Sequence, residues 1–425
     1  ELGAEIKGFG GTSSGPGPLV ELHKNLTEMF SSKIGEAITS VDIVDTENLI
    51  GRCVVSGNVR RSAALAMGRH DDMRYLEMKN DQEKLYHHRW GSNNSFNAEV
   101  GMDYTWHAEQ SQKNGEPGYI WLNNARTRGR FKDPERFDDI NVAGFNPCVE
   151  QQLEDAELCC LVETYPAKHD DIDDYLKTLK IAYLYGKTIT LSNTHWPETN
   201  AKMLKNRRIG LSQSGVVQAF NKFGRRAMYD MCDKAYEHVK HLDEEYSNWL
   251  CIPKSVRMTS IKPSGTVSLL NGSTPGIHFP ESEYYIRRIR FSNTSKLLPD
   301  LEKAGYKIED DKYSPNTVCV EFPVHEPHYE KSKRDVSIWE QLEIAAQYQH
   351  YWADNSVSVT VSFTPSEATQ IKGALEMYES RLKAVSFLKY EETGYEQAPY
   401  ESITKKEYEK ISKDIKPIQR FHFDE

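Results

Sequence analysis

The spacing of apolar residues divides the chain into helix-like and strand-like blocks. A loop-forming stretch at residues 8–18 (GFGGTSSGPGP) precedes apolar residues at helical spacing over 19–30, and a second helix is expected over 46–55. Residues 79–90 (KNDQEKLYHHRW) are strongly polar and run into GSNNS at 91–95, read as a turn leading into a short buried strand. Residues 115–146 are rich in loop formers. An amphipathic helix follows over 172–185, with Tyr175, Leu176, Leu179, Ile181, Ala182 and Leu184 on or near one face; TITL at 188–191 then reads as a strand. A long helix is expected over 227–249, and a strand over 256–261 that stops at Pro263-Ser264-Gly265-Thr266. Segments 285–291, 317–322 and 357–363 have the β-branched and aromatic character of strands. This alternation favours an α/β layered or barrel fold over an all-α or all-β one. With no internal repeat and no low-complexity linker, the chain reads as one domain or most of one.

Composition narrows the functional classes. A net charge of −10 argues against a broad electrostatic grip on nucleic acid or an anionic membrane. Hydrophobic residues at 38% and charged residues at 27% supply a substantial core, which disfavours disorder as the main state. No apolar run approaches a membrane span, and the first residues lack the basic and apolar regions of a signal peptide, so a cytoplasmic location is expected. The seven cysteines (53, 148, 159, 160, 232, 251 and 319) contain no C-x-x-C, so neither a disulfide scaffold nor a cysteine-rich zinc site is suggested. The first residue is not Met, and the opening residues read as the middle of a longer chain.

Candidate chemistry centres on Cys148 in Asn146-Pro147-Cys148-Val149-Glu150, where a thiol lies two residues from an amide and from a carboxylate. In an extended conformation Asn146, Cys148 and Glu150 point to one side. From residue types alone this is an activated nucleophile, a general-base pair or a loop without chemistry. Cys159 and Cys160 follow after a polar stretch; as neighbours on a strand they face opposite ways, so one can share a cavity with Cys148 while the other packs. The segment Ser264, Gly265, Thr266, Val267 and Ser268 begins where a strand stops and can offer unpaired N–H groups to a phosphate, although it is not a P-loop. The pairs Arg60-Arg61 and Arg207-Arg208, and Arg287-Arg288 with Arg290, read as solvated surface charge. His87-His88 and His278 lack metal-ligand spacing, and no metal ligand is assigned.

Taken in order, GFGGTSSGP, GNVRRSA, HHRWGSNNS, NPCVE with LCCLVE after it, KNRRIG, KPSGTVS, RIRF, NTVCVEFP and VSVTVSF resemble the motifs of ribonucleotide reductases. The likeness is strongest to the adenosylcobalamin-dependent class II and, within it, to the monomeric ribonucleoside-triphosphate reductases; it runs from about residue 3 to 399. It implies a ten-stranded α/β barrel over 1–399 with a central finger loop near 145–160, the N-terminal part of the barrel missing from this chain, and a C-terminal extension over 400–425 without the redox cysteine pair. It further implies that Cys148 becomes a thiyl radical and abstracts the ribose 3′ hydrogen, that Glu150 takes the 3′ hydroxyl proton, and that Asn146 holds the hydroxyls. Cys159 matches one redox-active thiol of the pair that reduces the sugar. Cys160 stands where no cysteine is expected, and Cys53 reads as packing. Ser264 to Ser268 match the substrate phosphate loop, and residues 6–16 lie at or beside the loop that communicates substrate choice. Val149 replaces the glycine expected after the radical cysteine.

The same resemblance implies partners. These are an N-terminal reductase fragment supplying the missing strands, the second redox cysteine and the effector site, a thioredoxin-like reductant, and a ribonucleoside triphosphate substrate; no DNA or RNA polymer and no membrane is expected. The competing expectation is a non-catalytic nucleotide-binding or regulatory fragment, against which the joint presence of Asn146, Cys148, Glu150 and Cys159 speaks. A glycyl-radical enzyme would carry an arginine-led glycine motif, absent from 392–395, and an oxygen-dependent class a tyrosine pair near Phe387-Leu388.

Overall fold

A computed structural model describes residues 1–418 except 5, 7–11, 58–60, 313–316, 327–328 and 391–395. Parts of the GFGGTSSGP and GNVRRSA motifs, all of segment 392–395 and the end of the C-terminal extension therefore lie outside the described residues.

Thirteen strands are present among the described residues: β1 Ala64–Arg69, β2 Ser92–Asn97, β3 Gly118–Ile120, β4 Gly144–Phe145, β5 Gln152–Leu153, β6 Leu161–Thr164, β7 Gly210–Gln213, β8 Tyr284–Ser292, β9 Lys307–Asp310, β10 Thr317–His325, β11 Thr360–Phe363, β12 Ala384–Lys389 and β13 Tyr400–Ser402. One sheet runs β1-β2-β3-β12-β11, and β6 pairs with β7. The expected strand at 256–261 is an extended segment that links the two, bridging Leu211 to Thr259 and Ile261 to Val357, all parallel. The resulting order is β6, β7, the 259–261 segment, β11, β12, β3, β2, β1, with one antiparallel junction at β12 and β3. Two parallel sets thus meet head to tail, the helices between them serving as crossovers. β6 and β1 end this array among the described residues, so it presents fewer strands than the ten that the resemblance implies. A separate antiparallel sheet, β13-β8-β10-β9, includes residues 400–402, the head of the expected C-terminal extension.

Helix boundaries follow local chemistry. The helix expected over 46–55 spans Ser40–Val55 because Thr39 and Asp42 form a capping box that starts it earlier. The long helix is Arg225–Leu250. Two expectations are corrected. Residues 188–191 are not a strand: the helix Ile172–Ile189 ends within them and Thr190 caps it, with Thr188 Oγ1 donating to Leu184 O (2.8 Å) and Thr190 Oγ1 to Lys187 O (2.6 Å). Residues 92–95 are not a turn but the start of β2, where parallel partners on both sides and the buried Lys79 ammonium, which donates to Ser92 O, satisfy a polar backbone.

The larger core lies between the strands and the helices and contains Tyr119, Trp121, Tyr175, Tyr183, Tyr236 and Trp352. A smaller cluster lines the inner side of the strands: Ile120, Leu122, Val142, Val149 and Ala384, with Leu65, Met67 and Phe145 against them. It joins β1, β3 and β12 to the β4–β5 hairpin and fixes where that hairpin sits. No helix among the described residues is long and apolar enough to cross a membrane.

Candidate functional site

The β4–β5 hairpin, paired Gly144 to Leu153 and Phe145 to Gln152, overlaps the segment near 145–160 that is expected to carry a finger loop. Its tip closes on itself: Asn146 N donates to Gln151 O (3.1 Å), Gln151 N to Asn146 Oδ1 (2.9 Å) and Val149 N to Asn146 O (2.8 Å). Val149 has φ 65, the left-handed region where a β-branched residue is strained and glycine is not. The glycine expected at this position therefore has a conformational reason. The turn also breaks the simple alternation expected of 146, 148 and 150: Asn146 is buried with its side-chain oxygen engaged in the turn, whereas Cys148 is exposed.

Neighbouring segments hold the fingertip by its carbonyls. Asn93 Nδ2 donates to Pro147 O (3.1 Å), Ser358 Oγ to Cys148 O (2.5 Å), and Ser260 Oγ (2.7 Å) and Ser356 N (3.1 Å) to Glu150 O. At its base, Gln152 Nε2 donates to Asp139 Oδ2 (3.3 Å), and Arg208 pairs with Asp139 (2.7 Å) and Glu157 (3.0 Å). Arg208 has no exposure, so the reading of Arg207-Arg208 as surface charge is corrected; Arg207, also buried, donates to Thr190 O. Arg288 is likewise paired, with Glu321 and Glu401, and Arg290 with Asp311.

Around the tip the structure gathers two thiols and two carboxyls with one ammonium. Glu150 is fully buried, neither of its carboxylate oxygens has a hydrogen-bond partner among the described residues, and Lys262 Nζ lies 3.8 Å away. Cys148 and Cys159 both reach the surface, yet their surroundings push both thiols above the usual range, first by burial and then by the charge of Glu150, with Lys262 opposing. Glu163, two residues past Leu161 on β6, is lifted by burial to about 7, against hydrogen bonds from Ser214 and Ser212. Strand alternation puts Cys159, Leu161 and Glu163 on one side and Cys160 on the other. Cys160 is indeed buried, its Sγ 3.6 Å from Gly186 O and its thiol raised by burial to about 11. Cys53 is half-buried on the helix Ser40–Val55 and lines a cavity with Pro18 and Leu22.

The 264–268 segment follows the central extended strand. Ser264 and Ser268 are buried and bonded to each other, Ser268 N donating to Ser264 O (3.3 Å), and Gly265 N turns back to Pro263 O (2.8 Å). Thr266 and Val267 are exposed, and no backbone acceptor is recorded for their N–H groups among the described residues. Sequence reasoning missed Lys262, Glu163 and the serines that hold the tip. Three of these stand inside quoted motifs, Lys262 opening KPSGTVS, Glu163 closing LCCLVE and Ser358 second in VSVTVSF. A cavity of about 340 Å³ opens at the ends of β2, β3 and β12, lined by Asn93, Asn94, Ser95, Glu116, Thr360 and Ser386 among others.

No protein-family model matches the chain. In sequence it is 48% identical over 423 residues to a probable adenosylcobalamin-dependent ribonucleoside-triphosphate reductase of Dictyostelium discoideum, covering 98% of this chain and 56% of that protein. An adenosylcobalamin-dependent ribonucleoside-triphosphate reductase of Euglena gracilis is 45% identical over 421 residues, covering 98% of this chain and 58% of the relative. A solved B12-dependent class II ribonucleotide reductase superposes with a TM-score of 0.85 at 37% identity, over 97% of this chain and 62% of that one. The chain is similar to class II ribonucleotide reductases in both sequence and fold. It spans somewhat more than half the length of the curated relatives it matches. The class Id reductase α subunit of Actinobacillus ureae, with a TM-score of 0.58 at 15% identity over 88% of this chain and 82% of its own, shares the fold alone.

Proposed function

We propose that this chain carries the catalytic finger of an adenosylcobalamin-dependent ribonucleoside-triphosphate reductase and makes 2′-deoxyribonucleotides by thiyl radical chemistry. The observation that supports this most is Cys148 at the tip of a hairpin inside the strand array, with Glu150 and Cys159 within electrostatic reach of its thiol.

In this reading Cys148, as a thiyl, takes the 3′ hydrogen atom of the ribose and becomes a thiol. Glu150 accepts the 3′ hydroxyl proton and passes it to the departing 2′ hydroxyl, which leaves as water. Cys159 and a second thiol on the completing polypeptide give two electrons and two protons to the sugar and close to a disulfide. Cys148 then returns its hydrogen atom to the 3′ carbon, and a thioredoxin-like dithiol reopens the disulfide. Asn146 shapes the tip through its bond to Gln151 N, which holds Cys148 and Glu150 in place. The N–H groups of Thr266 and Val267, without a backbone acceptor among the described residues, suit the substrate phosphates, with Ser264 and Ser268 shaping their loop.

The residues present also fit the cofactor. The cavity beside the finger is large enough for a nucleoside, and Asn94 Nδ2, which lines it, is buried without a hydrogen-bond partner among the described residues. When bound, adenosylcobalamin supplies one-electron chemistry by homolysis of its carbon–cobalt bond; Asn94, Ser95, Thr360 and Ser386 would hold its adenosyl part.

The test is Cys148→Ser in the complete protein with adenosylcobalamin, a dithiol and a ribonucleoside triphosphate. Deoxynucleotide formation is expected to fall at least about a thousandfold, the scale for losing a reacting group that other residues cannot replace. Persistent reduction would remove the thiyl assignment.

A further inference from the structure

Glu150 is buried completely, and a carboxylate in that position needs a compensating partner. Among the described residues its ion-pair partner is Lys262, whose Nζ stands 3.8 Å from Glu150 Oε1, beyond hydrogen-bond length. The Lys262 side chain keeps 35% of its exposure, so a partly solvated lysine faces a carboxylate with none. The backbone of the same residue reaches a second carboxyl. Lys262 N donates to Ser212 Oγ (2.9 Å), and that hydroxyl donates to Glu163 Oε1 (3.4 Å). Lys262 also directly precedes Pro263 and the 264–268 loop. One residue thus stands between the fingertip, the β6 carboxyl and the segment suited to phosphates.

We infer that Lys262 is a positioning residue: its ammonium holds Glu150 in the cleft, offsets the negative field on Cys148 and Cys159, and is drawn off when a polyphosphate occupies residues 264–268. The inference rests on the functional reading above, because it takes that loop as the phosphate site. It adds a coupling, in which occupation of the loop changes the charge that the two thiols experience. The groups facing the cluster are Glu150 on the finger, Cys159 and Glu163 beside and on β6, Lys262, and Tyr165, whose hydroxyl donates to Val267 O (3.1 Å). Cys160 lies on the far side of its strand.

The test needs neither cofactor nor turnover. Alkylation of Cys148 and Cys159 by iodoacetamide is followed by mass spectrometry across the thiol titration range in the full protein, with exposed Cys251 as the internal reference. Lys262→Gln is expected to move both titrations upward by about half a unit and to slow alkylation near neutrality about threefold, a modest shift suited to a partly exposed charge. Lys262→Arg restores the wild-type curves. Glu150→Gln moves them down, the opposite sign. Saturating inorganic tripolyphosphate raises the wild-type titrations more than those of Lys262→Gln. Unmoved thiols in Lys262→Gln, or an equal tripolyphosphate shift in both proteins, would overturn the inference. Reductase turnover in Cys148→Ser would instead overturn the functional reading and leave the thiol titrations standing.

Discussion

Val149 shows how a single backbone angle separates two effects of one side chain. At φ 65 a valine carries strain of about 1–2 kcal/mol, and its buried side chain returns a similar amount by packing in the inner cluster. Val149→Gly relieves the strain and loses the packing, so its melting temperature is expected to stay within a few degrees of wild type. Val149→Ala keeps most of the strain and loses most of the packing, and should be the less stable of the two by about 1 kcal/mol, the reverse of the usual alanine-over-glycine order. Thermal melts of the three proteins check this ranking. Glu163 makes a second residue-scale prediction. Its carboxyl is raised by burial from 4.5 to about 7, so between those values the folded protein binds a proton that the unfolded chain has released. The contribution of Glu163 to stability is therefore fully present below the unfolded value and is lost as pH rises through that window, by about 3 kcal/mol at 1.36 kcal/mol per unit. Urea unfolding on either side of the window should show this loss in wild type and not in Glu163→Gln.

At the scale of elements, the finger depends on charges that the sequence pattern disguised. Arg207-Arg208 reads as a surface pair because adjacent arginines usually are, yet Arg208 bridges Asp139, before the hairpin, to Glu157, after it. Arg208→Ala takes the shared cation from two buried carboxylates, leaving Asp139 with Arg257 (3.5 Å) and Glu157 with only the hydrogen bonds from Glu154 N and Asn206 Nδ2, and about 3 kcal/mol of stability should be lost in denaturant titrations. Arg208→Ala with Asp139→Asn should recover part of that, because one buried charge is gone. The same contrast explains what could be read beforehand. The long helix Arg225–Leu250 and strands β8 and β10 were legible because their apolar periodicity is local. β2 was not, because Ser92–Asn97 is polar and becomes a strand only between β1 and β3. TITL at 188–191 failed for the opposite reason: its strand-like composition is overridden by threonine hydroxyls bonding back to helix carbonyls. In the site, Cys148 and Cys159 were legible as motif residues. Lys262 and Ser358 also stand in quoted motifs, but their role, like that of Ser260, was not legible, since they reach the fingertip only through long-range packing.

For the whole molecule, the decisive feature is the pair of array ends at β6 and β1. No further strand pairs with either outer edge among the described residues, and open edges invite pairing with another strand. The inner cluster around the finger draws on β1, β3 and β12, so closing the array on its other side would complete the wall around Cys148 and Cys159. In the proposed reading, a polypeptide supplying strands for both edges and a thiol opposite Cys159 completes the array, whether a separate N-terminal fragment or a continuation of the same chain. Two measurements test it together. Amide exchange in β1 and β6 should slow by at least about tenfold, or 1.4 kcal/mol, when that polypeptide is present, because their outer edges become paired. In the completed assembly, Cys159→Ser should abolish multiple turnover, since each reduction draws two electrons from a thiol pair and a lone thiol cannot supply them. Exchange unchanged at both edges, together with undiminished multiple turnover in Cys159→Ser, would leave neither the closure nor the thiol pair standing.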